Sequence, residues 1–239
     1  MDMRRVLATA SELFVPRVCK VCGCSLGRGE GPLLCLDCFV KLPRTAMHTA
    51  PTASCGINAV QERLADGPPL LLAGAWFYYS RNSPYTALVR GLKYYGRPSW
   101  GVEMGRAYGA ELLADIPDLA SRIQVLLPVG MHWRKEISRG YNQSERIACG
   151  LGETTGIPVG DNLRAVRSHA TQTRRSAEER RRNVHDLFHV EHPHEIHGLS
   201  VAVVDDIVTT GSTAAEAART LLEAGAASVS LFAIGLANS

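Results

Sequence analysis

No stretch of this 239-residue sequence approaches the about 18 uninterrupted apolar residues that a bilayer-crossing helix needs, so membrane insertion is not expected. The segment from Met1 to Val15 has neither a continuous apolar core nor a small-residue cleavage site, so a secretory leader is not expected either and the address expected is cytoplasmic. Charge of one sign is not in excess. Against 23 acids, 26 Lys and Arg leave a formal charge of +3, too little by itself to mark a nucleic-acid binder. No internal repeat is visible. Cysteine is missing from most of the chain: six of seven lie between Cys19 and Cys55, and only Cys149 stands apart. That clustering excludes a spread disulfide framework and points to metal binding.

The hydrophobic fraction of 46% is enough for a buried core, and the length suits one domain with a small appendage or one large domain. In residues 3–14, Val6, Leu7, Ala10, Leu13 and Phe14 can share one helical face, and Pro16 ends the run. Residues 17–43 are rich in Cys and Gly, and 44–69 are interrupted by Pro51, Gly56, Gly67, Pro68 and Pro69. The division expected is therefore 1–43 as a helix and zinc-knuckle module, 44–69 as a linker, and 70–239 as the main domain.

Beyond Leu70, short apolar runs alternate with amphipathic segments, the pattern of a parallel sheet covered by helices. This predicts strands over Leu71 to Tyr78, Ile123 to Pro128, Ser200 to Asp205 and Ser228 to Ile234, with shorter ones near Val159 to Val166 and Leu187 to Val190. Helices are predicted over Pro84 to Tyr95, Trp100 to Ala114, Gln143 to Thr155, Ala177 to Asn183 and Thr213 to Ala224. Trp76, Phe77, Tyr78 and Tyr79 are read as core and sheet residues.

Cys19-x-x-Cys22 and Cys35-x-x-Cys38, twelve residues apart, can place four thiolates around a tetrahedral Zn²⁺ in a closed structural site. A redox Cys-x-x-Cys would open a helix in a thioredoxin-like unit, and two matched pairs argue against it. Cys24 and Cys55 are left over, Cys24 near enough to replace Cys22 as a ligand.

The densest signal runs from Val201 to Thr213: an apolar strand, then Asp205 and Asp206, then a loop of Thr209, Thr210, Gly211, Ser212 and Thr213 that opens an Ala-rich helix. A parallel strand delivers its C-terminal end to the crevice where open α/β sheets bind ligands. The helix N-terminus there offers free N–H groups to a phosphate, and two adjacent carboxylates suit a pair of sugar hydroxyls. An ordinary helix cap needs one polar residue, not seven in order.

This segment resembles the signature with which type I phosphoribosyltransferases bind phosphoribosyl pyrophosphate (PRPP). The resemblance implies that Asp205 and Asp206 contact the ribose hydroxyls and that Thr209, Thr210, Gly211, Ser212 and Thr213 cradle the 5′-phosphate. A departing pyrophosphate needs cations. Arg134, Lys135 and Arg139 follow the strand ending at Pro128, and residues 164–182 hold seven arginines against two acids. The second region suits a lid over the phosphates, with Arg174 or Arg175 closing it, or a nucleic-acid surface.

Taken together, the chain resembles the ComF family of phosphoribosyltransferase-like proteins linked with competence for DNA uptake. The carriers are the Cys-x-x-Cys pairs, Leu92-Lys93-Tyr94 with Gly96, Arg139-Gly140-Tyr141-Asn142-Gln143, Thr171-Gln172-Thr173 with Glu179 to Val184, and the Asp205-Asp206 motif. Lys93 matches a family lysine that would reach the ligand, a helix-surface position being the other reading. The resemblance implies an α/β type I phosphoribosyltransferase fold with a small N-terminal zinc-binding module, Mg²⁺ carried with PRPP, and single-stranded DNA or a competence helicase as further partners. Where family members show Pro-Val-Pro, this chain has Pro128-Val129-Gly130, which is expected to loosen that turn. Two function classes stay open: a phosphoribosyltransferase, whose acceptor no segment specifies, and a non-catalytic PRPP- or nucleotide-sensing protein that engages DNA or a helicase.

Overall fold

The computed structural model describes residues 17–49, 58–64, 67–94, 96–131, 137, 139–166 and 187–238; the helices predicted over 3–14 and over Ala177 to Asn183 lie outside them. Four strands form one parallel sheet: β1 (Ala73–Tyr79), β2 (Val125–Pro128), β5 (Ser200–Val208) and β6 (Ser228–Ala237), in the order β1-β6-β5-β2. Two short strands, β3 (Leu163–Ala165) and β4 (Phe188–Val190), pair antiparallel beside it. The helices are α1 (Leu36–Val40), α2 (Ala59–Arg63), α3 (Thr86–Tyr94), α4 (Pro98–Asp115), α5 (Leu119–Arg122), α6 (Gln143–Thr155) and α7 (Ser212–Glu223).

The apolar run of β5 splits by its two-residue period. Ala202 and Val204 join one core with Phe232 and Ile234, under α4 and α6. Val201 and Val203 join the other with Leu231 and Ala233, under α7 and α2. Helices α4 and α6 approach closely because their facing positions are glycines: a Cβ on Gly105 would stand 2.2 Å from the Ile147 carbonyl oxygen, and one on Gly150 2.0 Å from that of Val102. The parallel sheet flanked by helices, with a cysteine cluster at the N-terminal end, is thus present as the sequence predicts.

Strands β5 and β6 each run three residues past their predicted ends. The ladder continues through the acids, Asp205 opposite Ala233 and Val208 opposite Leu236, so carboxylates do not break a strand whose backbone partners remain in register. The stretch read as a linker is docked where it is described. Arg44 bridges Phe77 antiparallel, with Tyr78 N donating to Pro43 O and Thr45 N to Trp76 O, which covers the free edge of β1. The Arg44 guanidinium grips Glu111 on α4 with both carboxylate oxygens at 2.7–3.0 Å and donates to Phe39 O at 2.8 Å. Cys19, Leu33, Leu34, Cys35, Cys38 and Leu42 are buried in the same core as Trp76, Leu88 and Met104.

Candidate functional site

At the C-terminal ends of β1, β6, β5 and β2 lies a cleft of about 770 Å³, lined by Lys93, Arg139, Asp205, Asp206, Thr209 and Thr213 among others. A topological position of this kind is where parallel α/β sheets collect ligands. The loop from Thr209 to Gly211 connects β5 to α7, which Gly211 caps with φ +77° and whose first residue is Ser212. Thr210 Oγ1 and Ser212 Oγ are 3.1 Å apart.

What holds that loop is a residue outside the motif. Arg63, the last residue of α2, donates from Nη1 to Thr209 O at 2.5 Å and from Nη2 to Ala237 O at 2.9 Å. Helix α2 is in turn anchored by Asn58, which caps it by accepting from Gln61 N at 3.0 Å and donates to Ala73 O at 2.8 Å. The irregular composition of 44–69 hid this five-residue element, although Asn58 was a usable capping signal.

The two acids differ. Asp206 Oδ2 meets Lys93 Nζ at 2.8 Å. Burial pulls the Lys93 ammonium down, but Asp206 and then Asp205 outweigh it, so the net shift is upward and Lys93 stays charged. Lys93 lines the cleft with its ammonium on Asp206. Asp205 accepts from Ser144 Oγ at 3.2 Å and from the Asp206 backbone N–H at 2.7 Å. Those bonds do not offset burial and the neighbouring Asp206 charge, which push its carboxyl up to about 7.

The Arg139-Gly140-Tyr141-Asn142-Gln143 run builds the opposite wall. Asn142 caps α6 by accepting from Ser144 N at 3.0 Å, and its amide donates to Val129 O at 3.0 Å, fixing the helix to the end of β2. Buried Tyr141 donates to Leu92 O, tying the same loop to α3 beside Lys93. Arg139 lines the cleft and donates to Gln143 Oε1 at 2.9 Å. Gly130 does not loosen the turn after β2. The backbone of β3 crosses it so closely that a Cβ there would stand 2.5 Å from Leu163 O and 2.8 Å from Ala165 N. Arg134, Lys135, Arg174, Arg175 and the Thr171-Gln172-Thr173 segment lie outside the described residues.

At the N-terminal end, the Sγ atoms of Cys19, Cys22, Cys35 and Cys38 lie within 4.8 Å of one another, and those of Cys22 and Cys35 are 3.7 Å apart. A tetrahedral ion with bonds of about 2.3 Å sets its sulfurs about 3.8 Å apart, so the four positions fit zinc. Burial raises the Cys19 thiol, yet the N–H groups of Cys22, Cys35 and Val21 win and bring it down to about 6, as a thiolate ligand requires. Cys24, exposed, sits 3.3 Å from the Cys22 sulfur and outside the four. Cys55 lies outside the described residues. Among the described residues no helix is long and apolar enough to cross a membrane.

No protein-family model matches the chain. The DNA utilization protein YhgH of Salmonella typhimurium is 32% identical over 93% of this chain and 98% of its own length. The competence protein ComFC of Bacillus subtilis is 27% identical over 84% of this chain and 83% of its own. Among solved structures, the glutamine PRPP amidotransferase from B. subtilis complexed with ADP and GMP is 22% identical, covers 58% of this chain and 26% of that one, and has a TM-score of 0.37.

Proposed function

The chain belongs to the ComF family, and from that premise we propose that it binds PRPP with Mg²⁺ in the cleft and transfers the phosphoribosyl group to an acceptor. The observation that carries the reading is the meeting, at one sheet end, of the paired acids Asp205 and Asp206, the hydroxyl loop Thr209 to Thr213 at a helix N-terminus, and the cation Arg139. Together they form a phosphate cradle, a diol acceptor and a counter-charge for a leaving group.

In this reading Asp205 and Asp206 accept from the ribose 2′ and 3′ hydroxyls, which the ion pair to Lys93 must share or yield. The N–H groups of the α7 start and the hydroxyls of Thr209, Thr210, Ser212 and Thr213 take the 5′-phosphate, with Gly211 shaping the turn. Arg139, joined by Arg134 and Lys135, meets the pyrophosphate, and Arg174 or Arg175 closes over it. Mg²⁺ carried by the diphosphate would neutralise charge as the leaving oxygen departs. Zinc, held by Cys19, Cys22, Cys35 and Cys38, serves structure and takes no part in the transfer.

Calorimetric titration of the zinc-loaded protein with PRPP and Mg²⁺, beside the Asp205→Asn and Asp206→Asn double variant, tests the reading. Binding by the wild type and its loss in the variant are expected. No binding by the folded wild type overturns it.

The names of the relatives, DNA utilization and competence, favour a role in handling incoming DNA, with the cysteine module and the arginine-rich region 164–182 as the surfaces for single-stranded DNA or a helicase. Binding of an oligonucleotide that weakens steeply with salt supports this second reading.

A further inference from the structure

The cleft extends to both sides of Asp205 and Asp206, towards β2 on one and towards β6 and β1 on the other. On the β2 side it runs beneath Arg139 and Asn142, the arm that the proposed function gives to pyrophosphate. On the other side it runs over the ends of β6 and β1, where Tyr79, Arg81, Arg90, Tyr94 and Asn238 line it. Donor binding uses nothing in this second arm. From β5 to β1 is two strand spacings, roughly 10 Å, which is room for one flat ring and a substituent.

The chemistry of the arm is lopsided. Tyr79 and Tyr94 offer ring faces, and the Asn238 amide offers a donor and an acceptor for a ring edge. Arg81 and Arg90 bring two guanidiniums that meet no acid among the described residues. Among the described residues the acids that line the cleft are Asp205 and Asp206, and Lys93 already holds the second. A neutral base would use the rings and the amide and leave both guanidiniums without a counter-charge.

We infer that the arm over β6 and β1 is the acceptor subsite and that it takes a flat nitrogen heteroaromatic bearing a carboxylate. The inference rests on the PRPP reading. The carboxylate pairs with the Arg81 and Arg90 guanidiniums, whose planar forks match it. That leaves the ring nitrogen facing the anomeric carbon above Asp205 and Asp206. In the transfer the C1–O bond to pyrophosphate breaks with its electron pair staying on pyrophosphate, and the nitrogen lone pair forms the C1–N bond. A proton borne by that nitrogen passes to solvent.

The test titrates the zinc-loaded protein, in PRPP and Mg²⁺, with pyridine-3-carboxylate and uracil-6-carboxylate, each beside its carboxamide. In the wild type each carboxylate should bind about tenfold tighter than its amide, the size of one charge-assisted pair. In the Arg81→Gln, Arg90→Gln double variant the ratio should fall to near one while PRPP itself binds within about twofold of the wild type, since no donor contact is lost. PRPP binding with no preference for either carboxylate overturns the acceptor assignment alone. Absence of PRPP binding overturns the donor reading and the assignment with it. A double variant that keeps the carboxylate preference but loses a single-stranded oligonucleotide assigns the arginines to nucleic acid and overturns the proposal too.

Discussion

The carbonyl oxygen of Arg63 lies where a side chain on Gly211 would begin: a Cβ there would stand 2.3 Å from it. Two constraints meet at this glycine, the contact with α2 and a φ of +77°, and neither tolerates another residue. Gly211→Ala should cost about 2–4 kcal/mol of stability, the sum of a left-handed penalty and overpacking. Binding of ribose 5-phosphate should fall by about tenfold or more, since the loop N–H groups lose their aim. Urea denaturation and calorimetry read the two effects. Retained binding in a folded variant would mean that the loop does not hold the phosphate.

Arg63 itself gives a sharper case, because its guanidinium holds the loop without reaching for ligand. Arg63→Gln removes the donors to Thr209 O and Ala237 O. Ribose 5-phosphate binding should weaken by about tenfold, the scale of a charged hydrogen bond, while inorganic pyrophosphate binding is unmoved. Arg63→Lys should restore part of the loss. Equal loss for both probes would reduce Arg63 to general stability.

How much of this could be read from residue order depends on how local each signal is. The β5 strand, the acids and the loop lie within the fourteen consecutive residues Ser200 to Thr213, so their chemistry and their secondary structure were legible together. Arg63 is 146 residues from Thr209, and Ser144 is 61 from Asp205; no local pattern joins them. Tyr79 closes an apolar strand and packs against the core as read, and its place at the strand's C-terminal end puts it on the cleft as well. Gly130, by contrast, misled. The tightness of its turn comes from β3, a strand more than thirty residues further along the chain.

The ion pair between Lys93 and Asp206 is more than three-quarters buried on each side, so its two halves should not behave independently. Lys93→Met leaves a carboxylate facing Asp205 without its cation and should cost about 1–3 kcal/mol. Adding Asp206→Asn should recover part of that cost. A double-mutant cycle by urea denaturation gives the coupling directly. Additive effects would show that solvent screens the pair.

Zinc removal should unfold more than the cysteine module. Cys19, Cys35 and Cys38 share their core with Trp76, and Tyr85 on the loop before α3 donates to Cys38 O at 2.8 Å, so the module is bonded into the sheet's own packing. Chelation, or Cys35→Ser, should lower the melting temperature of the whole chain by roughly 10 °C or more and shift tryptophan emission in the same transition. Cys24→Ser should leave both unchanged. Loss of the module alone, with the remaining melt unmoved, would contradict the shared core.

Asp205 ties stability to pH in a direction opposite to that of most carboxylates. Burial and the Asp206 charge raise its folded value to about 7, against about 3.9 for an unfolded aspartate. Between those values the folded chain holds a proton that the unfolded chain has released, so stability falls as pH rises through this window and levels off above it. Asp205→Asn carries no such proton. The variant should gain on the wild type by about 1–2 kcal/mol between pH 5 and pH 8, less than the full shift because the cleft is open to solvent. Ser144→Ala removes the hydroxyl that steadies the ionised form and should move the Asp205 midpoint further up. Carbon-13 titration of the Asp205 carboxyl locates that midpoint directly. A midpoint near 4, with a pH-independent gap between variant and wild type, would show that the acid is solvated, and the burial argument would fail. A midpoint near 7 has a further consequence: Asp205 offers the ribose hydroxyls a charged acceptor only above neutrality. Ribose 5-phosphate affinity should then rise from pH 6 to pH 8 in the wild type more than in Asp205→Asn, where the titration of the ligand's own phosphate is all that remains.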